Sequence, residues 1–323
     1  MTTRRSDAEE LPGGQAEAPT QIPLRGWWQV LRRAFWRSQT DNVSILAGGV
    51  AFFAFLAVFP TLIAALTLYG LFADPAHITD QVNSLAGALP PDTRQLVREQ
   101  LTELTRNSGG ALTIGLIVSL IVALVSASSG TSGLVTAINI AYDEQETPSL
   151  VRFEATAVAL TLAAIVFVPV ALTLIAVVPA VMDLLRLETP GWLVTQLVRW
   201  VLLVVMFTVG LSVLYRVAPD RGTAQFRWVT PGAMIATALW LLGSTAFSLY
   251  VTLFSNYSKT YGALTGVIVL MLWLYLTSYA VLLGAELNAE AERQTTRDTT
   301  TGDPMPMGQR GAVVADTQAS PES

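Results

Sequence analysis

Long uncharged hydrophobic stretches separated by short polar segments fill the middle of the chain. A helix needs about 20 apolar residues to cross about 30 Å of hydrocarbon. Six stretches reach that length, at residues 43–72, 111–142, 155–182, 192–215, 228–254 and 261–285, of which the fourth is interrupted by Arg199. The pattern predicts an all-α polytopic membrane protein with six transmembrane helices.

The two ends of the chain and one loop depart from this pattern. Residues 1–24 and 294–323 are polar and rich in Pro, Thr and Gly. Because they have little apolar surface to bury, we expect disordered tails. The transmembrane domain is then predicted to fill residues 25–293, and the loop 73–110 to form a helical cap over the external face.

Positive charge predicts the orientation. Six spans place both termini on one side, where thirteen of the nineteen Lys and Arg residues fall, against five on the other side and Arg199 within a span. By the positive-inside rule both termini are cytoplasmic. Residues 25–37 mix Arg with Trp and Phe, as in an amphipathic entry helix that lies on the inner leaflet and binds anionic headgroups. The alternative is that these charges only set the topology.

Composition narrows the function classes. The chain is 52% hydrophobic and 13% charged, about half the charge of a soluble domain. It has no Cys, a single His and no phosphate-binding glycine loop. We therefore expect no enzymatic activity, no catalytic residues, no metal and no cofactor. A net charge of -5 gives no global basic field for nucleic acid.

The second span is unusually polar at its centre, over residues 126–133. Its small residues Gly130 and Gly133 favour a very close helix contact. Its hydroxyls favour instead a broken helix that lines a substrate cavity. The candidate cavity residues are Ser126, Ser129, Thr131 and, further along the span, Asn139. Both interpretations stay open from the sequence.

Other polar or helix-breaking residues mark the remaining spans. Pro60 and the pair Pro231–Gly232 predict kinks. Glu286 and Asn288 end the sixth span, where a carboxylate opposes the helix dipole. We expect Glu286 to have a cationic partner, Arg216 or Arg152, with a solvated terminal charge as the alternative.

Arg216 also suggests a path through the protein. Its guanidinium follows the fourth span and could meet a phosphate or carboxylate headgroup at the cytoplasmic mouth. Tyr257 and Tyr261 would form the outer rim, and the hydroxyls of the second span the middle. Such a path suits an amphiphile with a polar head.

Several ordered segments carry a family resemblance. They are Ala47–Phe53, Phe59–Leu62, Leu214–Pro219, Trp228–Ala233, Trp273–Tyr275 and Leu283–Asn288. With these motifs the chain, over about residues 27–293, resembles the BrkB/YihY family of bacterial inner-membrane proteins. The resemblance implies six helices and an inner-membrane location. Some members were once labelled ribonuclease BN, and the family has no settled biochemical activity.

Three functions are compatible with these observations. The first is a transporter or a lipid-handling protein without its own ATPase, whose partners are membrane lipids and an amphiphilic or anionic small molecule. The second is a non-transporting envelope scaffold, for which small-residue packing and kinks suffice. A ribonuclease is a remote third, because nucleases need clustered metal-binding carboxylates or paired histidines. The sequence predicts no oligomeric state.

Overall fold

The computed structural model describes residues 11–72, 114–144, 150–173, 189–253 and 264–320. These residues form helices and no strands, with one isolated antiparallel bridge between Ala224 and Thr300. The all-α prediction is therefore confirmed. In chain order the helices are α1 (Leu24–Thr40), α2 (Val43–Phe72), α3 (Ile114–Ala141), α4 (Leu150–Leu172), α5 (Thr189–Val217), α6 (Phe226–Leu253), α7 (Leu264–Glu292) and the short α8 (Val313–Asp316).

The part of the chain that the structure describes contains fewer candidate membrane crossings than the six predicted. Within the described residues, four segments are long and apolar enough to span, namely Leu150–Ala171, Gln196–Val217, Phe226–Thr252 and Thr265–Glu292. α1 and the first part of α2 bend by 66° at a short break, and they add a fifth crossing if the pair is one broken span. The first two predicted spans coincide with α2 and α3, helices of 30 and 28 residues. Six spans are not confirmed.

The helices pack as a bundle around α7, which contacts α1, α2, α3 and α6. α2 lies along α3, and α5 lies along α6. Large side chains fill the centre, including Ile138, Tyr142, Tyr215 and Leu282. Because lipid is as apolar as these side chains, close packing and hydrogen bonds, more than apolar burial, hold such helices together.

α6 and α7 approach each other closely through small residues. A Cβ placed on Gly232 would lie 2.1 Å from the Gly284 carbonyl oxygen, and one placed on Gly284 would lie 2.7 Å from the Ala236 Cβ. Asn288 adds two hydrogen bonds, since its Oδ1 accepts from the Gly232 N–H at 2.8 Å and its Nδ2 donates to the Val229 carbonyl at 3.0 Å. We call these five residues the α6–α7 crossing.

Gly130 and Gly133 serve a similar contact between α3 and α2. A Cβ on Gly130 would lie 3.1 Å from the Ala57 Cβ and 3.2 Å from the Phe53 carbonyl oxygen, and one on Gly133 would lie 3.4 Å from the Phe53 ring. The close-contact interpretation of the second span therefore has a direct structural counterpart at these two glycines.

Both described ends of the chain meet at one end of the bundle. The Thr296 N–H donates to the Gly14 carbonyl at 2.8 Å, and the Thr295 hydroxyl donates to the Ala16 carbonyl at 2.7 Å. We call this region, residues 11–42, 139–144, 216–228 and 286–320, the termini end. The charge distribution predicts that it faces the cytoplasm.

The described parts of the two tails form hydrogen bonds with each other and with the bundle, whereas their composition favours disorder. Arg310 is buried and donates to the carbonyls of Ala315 at 2.6 Å and Thr296 at 2.7 Å. The Thr299 hydroxyl donates to Glu292 at 2.6 Å. Residues 294–320 are thus ordered by hydrogen bonds from buried polar groups, which a hydrophobicity pattern does not reveal.

α1 lies against the end of α7 with one face and leaves the other face open. Val30 and Ala34 pack on Leu287 and Ala291.

The connection from α1 to α2 turns at Asn42, whose φ of 52° lies in the left-handed region. Asn adopts this region more readily than most residues.

Candidate functional site

A cavity of about 240 Å³ opens at the termini end, between α3, α4 and the turn that follows α5. Polar residues of α3, α4, the end of α5 and the turn after it contribute to the lining, and they include Asn139, Arg152, Thr156, Arg216, Asp220 and Arg221. We call it the Arg216 pocket.

Asn139 enters the Arg216 pocket from the last turn of α3. It is 2% exposed, and its Oδ1 accepts a hydrogen bond from the Asp220 N–H at 2.8 Å. Its Nδ2 has no partner among the described residues. A buried amide donor left unpaired is costly, so a ligand acceptor here would be favourable.

Arg216 lies in the last turn of α5, where the helix dipole favours a cation. Its guanidinium stacks over the Phe226 ring, 4.1 Å from Cζ to the ring centroid. This contact orients the group without neutralising it. Within the described part of the chain, Arg216 forms no ion pair.

The other two arginines of the pocket are already paired. Arg152 Nη1 lies 3.3 Å from Asp220 Oδ1. Arg221 donates to both oxygens of Glu292, at 2.7 and 3.0 Å, and stacks over the Tyr142 ring. Burial alone would lower the Arg221 pKa, but the Glu292 carboxylate outweighs burial and raises that pKa above its usual value. Arg221 is therefore a fixed cation.

The charge balance in the Arg216 pocket favours an anion. Asp220 and Glu292 compensate Arg152 and Arg221, which leaves the Arg216 charge uncompensated. A guanidinium in a pocket that is also lined by an asparagine with an unpaired amide donor suits the oxygens of a phosphate or a carboxylate.

The structure brings together only part of the path predicted from the sequence. Asn139 and Arg216 share the pocket, and Thr131 lies two turns from Asn139 on the same face of α3, about 12 Å along the helix. The Thr131 and Thr161 hydroxyls are 2.8 Å apart and join α3 to α4. Tyr257 and Tyr261 lie outside the described residues.

Ser126 and Ser129 do not reach the Arg216 pocket. Both are exposed on the outer surface of α3. The Ser129 hydroxyl donates to the Ser126 carbonyl at 2.7 Å, so this hydroxyl is satisfied within its own helix. The hydroxyl spacing in the sequence does not distinguish an inward face from an outward one.

The predicted partners of Glu286 are engaged elsewhere. Glu286 is 1% exposed, and its Oε1 has no partner in the described part of the structure. Arg152 pairs with Asp220, and Arg216 stacks on Phe226. The expected pairing with Arg152 or Arg216 is not formed.

The residues that the sequence marked as helix-breaking or structural lie within helices or at a helix contact. Pro60 lies within α2 and Pro231 within α6. Gly232 and Asn288 belong to the α6–α7 crossing. The Arg221–Glu292 pair was missed by sequence reasoning, although three arginines between residues 216 and 227 were its available signal. Among the described residues, no group of three or more His, Asp or Glu side chains could hold a metal ion.

Comparison with known proteins places the chain among membrane proteins. The family model described as virulence factor BrkB matches residues 34–307. A Bacillus subtilis protein named as ribonuclease-like, YfkH, is 36% identical over 252 residues, covering 76% of this chain and 88% of YfkH. A UPF0761 membrane protein of Alteromonas mediterranea is 27% identical over 243 residues, covering 74% of this chain and 79% of its own length. No solved structure matches.

Proposed function

This chain belongs to the virulence factor BrkB family of membrane proteins, and from that premise we propose that it binds an anionic amphiphile and moves it through the bilayer. The headgroup binds in the Arg216 pocket, and the protein uses no ATPase of its own. The observation that carries this proposal is that the uncompensated Arg216 guanidinium and buried Asn139, whose Nδ2 is unpaired among the described residues, line the same pocket.

The surroundings of the pocket favour an amphiphile over a small soluble anion. Leu150 and Val151, which precede Arg152 at the start of α4, are both exposed. Among their described residues α4 and α5 touch over a short contact, where the Phe167 ring packs on Phe207 with centroids 5.1 Å apart. A lipid whose headgroup enters near Arg152 can therefore keep its acyl chains in the hydrocarbon beside α4.

Headgroup binding and transbilayer movement can be measured on reconstituted protein. In vesicles that contain a fluorescent anionic phospholipid, the parent should speed up exchange between leaflets, and Arg216→Gln should slow it about tenfold, since a hydrogen bond to a charged group contributes about 1.5–3 kcal/mol. Arg227→Gln is the matched control, because this exposed arginine donates to Gln225 and does not line the pocket. Equal rates for the parent and Arg216→Gln would exclude the proposed site.

A non-transporting envelope scaffold is a second candidate. The glycine contacts of α2 with α3 and of α6 with α7 account for the small residues of these helices by packing alone. Exchange rates equal to those of protein-free vesicles would favour this scaffold. A ribonuclease remains a remote alternative that rests on the printed name of one relative.

In the proposed setting the protein lies in a bacterial inner membrane with its termini in the cytoplasm. A single Cys at the exposed position Asp303 can be labelled without background, since the chain has no Cys. An impermeant maleimide should label it only after cell lysis. Labelling in intact cells would show that position 303 faces away from the cytoplasm and would contradict the predicted orientation.

A further inference from the structure

A second cavity, of about 480 Å³, lies at the termini end between α1, the last turns of α7 and the end of the described chain. Its side chains include Arg33, Trp36, Arg37, Thr40, Glu290 and Arg293. We call it the α1 pocket. None of these six residues lines the Arg216 pocket.

Three arginines of the α1 pocket share two carboxylates. Glu290 lies 2.7 Å from Arg33 Nε and 2.6 Å from Arg293 Nη1. Asp143 pairs with Arg293 and lies 3.1 Å from Arg37 Nη2. Of the two acids, only Glu290 lines the cavity. The cavity wall is therefore richer in guanidinium groups than in carboxylates.

One guanidinium nitrogen of this group is left without a partner. Arg33 is 7% exposed. Its Nε and Nη2 donate to Glu290 and Gln294, whereas its Nη1 has no partner among the residues that the structure describes. Because an unpaired buried charged donor is unfavourable, an anionic oxygen bound in the α1 pocket would complete this group.

The outer face of α1 indicates where such an anion comes from. Trp28 and Trp36 are 70% and 63% exposed, and Phe35 is exposed beside them. α1 turns 66° away from the first part of α2. Exposed Trp and Phe on a basic helix next to a membrane span are typical of a segment at the headgroup level. Trp36 also lines the α1 pocket, so the pocket opens beside this aromatic face.

We propose that the α1 pocket binds the phosphodiester of an anionic glycerophospholipid. The phosphate is held by Arg33, Arg37 and Arg293, and Trp36 packs beside the glycerol and the first acyl carbons. This lipid stays in place and fastens α1 to the end of α7, a role separate from ligand movement at the Arg216 pocket. Inorganic phosphate shares the anionic chemistry but lacks the contact with Trp36.

Lipid binding to purified, delipidated protein tests this proposal. Phosphatidylglycerol, phosphatidylcholine and inorganic phosphate are titrated separately, with bound lipid counted by native mass spectrometry and unfolding followed by thermal shift. We expect phosphatidylglycerol to bind and to raise the melting temperature, phosphatidylcholine to bind at least about tenfold more weakly, and millimolar phosphate not to displace the lipid. Equal binding of the two lipids, or displacement by phosphate, would overturn the proposal.

Variants assign the binding to the α1 pocket. Arg37→Gln should weaken phosphatidylglycerol binding about tenfold, and its partly exposed ion pair with Asp143 contributes little to folding. Arg297→Gln, an exposed arginine at the same end of the bundle, should bind like the parent. Equal weakening by the two variants would mean non-specific surface attraction and reject the site.

Two further variants distinguish lipid binding in the α1 pocket from the lipid movement proposed for the Arg216 pocket. Trp36→Ala, on an exposed side chain, should weaken binding of the lipid but not of glycerol phosphate. Arg216→Gln should leave this resident lipid in place. Loss of the lipid in Arg216→Gln would show that the lipid lies in the other pocket and refute the proposal, whereas failure of lipid exchange in the Arg216 assay leaves it intact.

Discussion

The α6–α7 crossing and the chain segment 294–320 are both ordered, but by different physical means. At the crossing, two glycines bring backbones so close that a Cβ on Gly232 would lie 2.1 Å from a carbonyl oxygen. In segment 294–320, buried Thr and Arg side chains satisfy carbonyls and carboxylates. The first region depends on shape and the second on charge and hydrogen bonding, so substitutions and pH should affect them differently.

The largest effect is expected from filling the crossing. Gly232→Leu places a branched side chain against the Gly284 carbonyl, which is backbone and cannot rotate away. Overpacking of this kind costs about 3 kcal/mol or more. We expect little folded protein, measured by size-exclusion chromatography and thermal unfolding in detergent.

Gly266→Leu is the control for this substitution. Gly266 lies in α7 and has no atoms within 4 Å of a Cβ built on it, and a lipid-facing Leu is favourable by about 0.5 kcal/mol. Its folded yield should equal that of the parent. If both variants fold equally well, steric closeness does not hold α6 against α7.

A smaller loss is expected at Asn288, where the crossing also uses hydrogen bonds. Asn288→Ala removes the acceptor of the Gly232 N–H and the donor to the Val229 carbonyl, both buried. Loss of the two bonds costs about 1–3 kcal/mol, which is measured as a lower melting temperature.

Thr277→Ala provides the comparison, because it removes a single, partly buried bond at 3.1 Å between the same helices, from Trp240 Nε1. This neutral bond contributes about 1 kcal/mol. A melting temperature for Asn288→Ala as high as that for Thr277→Ala would show that Asn288 contributes little beyond an ordinary contact.

The sequence predicts the α6–α7 crossing better than it predicts segment 294–320. Small residues at helical spacing and long apolar runs are local patterns, so the helices, the family and the close contact at Gly130 follow from them. The order of segment 294–320 depends on which distant carbonyls Arg310 and Thr295 meet, and composition carries no such information. Asn139 and Arg216 can likewise be proposed one at a time from their place in a span or loop, whereas the pairing of Arg221 with Glu292 joins distant residues and was not predicted.

The pH dependence of segment 294–320 sharpens the comparison. Burial raises the Asp298 pKa, but hydrogen bonds from the Met305 N–H and from Thr300, together with Arg310, outweigh burial and hold that pKa below its usual value. The ionised form therefore stabilises the folded segment above the ordinary pKa of about 3.9, and this contribution is lost as pH falls through the lower, folded-state value.

Asp298→Asn should therefore loosen the segment at neutral pH by about 1–2 kcal/mol, observed as faster hydrogen exchange in residues 294–310. The difference from the parent should disappear in acid, and the α6–α7 crossing should exchange equally in both proteins. A difference that persists unchanged below the folded-state pKa would show that the charge of Asp298 is not its cause.

The smallest change in stability is expected for a substitution at Ser129. This position tests whether α3 serves only to pack against α2 or also forms part of the route of the amphiphile. Ser129 is exposed and its hydroxyl bonds to the Ser126 carbonyl of its own helix, so Leu there meets lipid and changes stability by about 0.5 kcal/mol. Its neighbour Gly130 packs against Phe53 and Ala57 of α2. Gly130→Leu should unfold the protein, whereas Ser129→Leu should fold and exchange lipid like the parent. A folded Ser129→Leu protein that no longer exchanges lipid would instead place the route of the amphiphile along the outer face of α3, on which Ser126 and Ser129 lie.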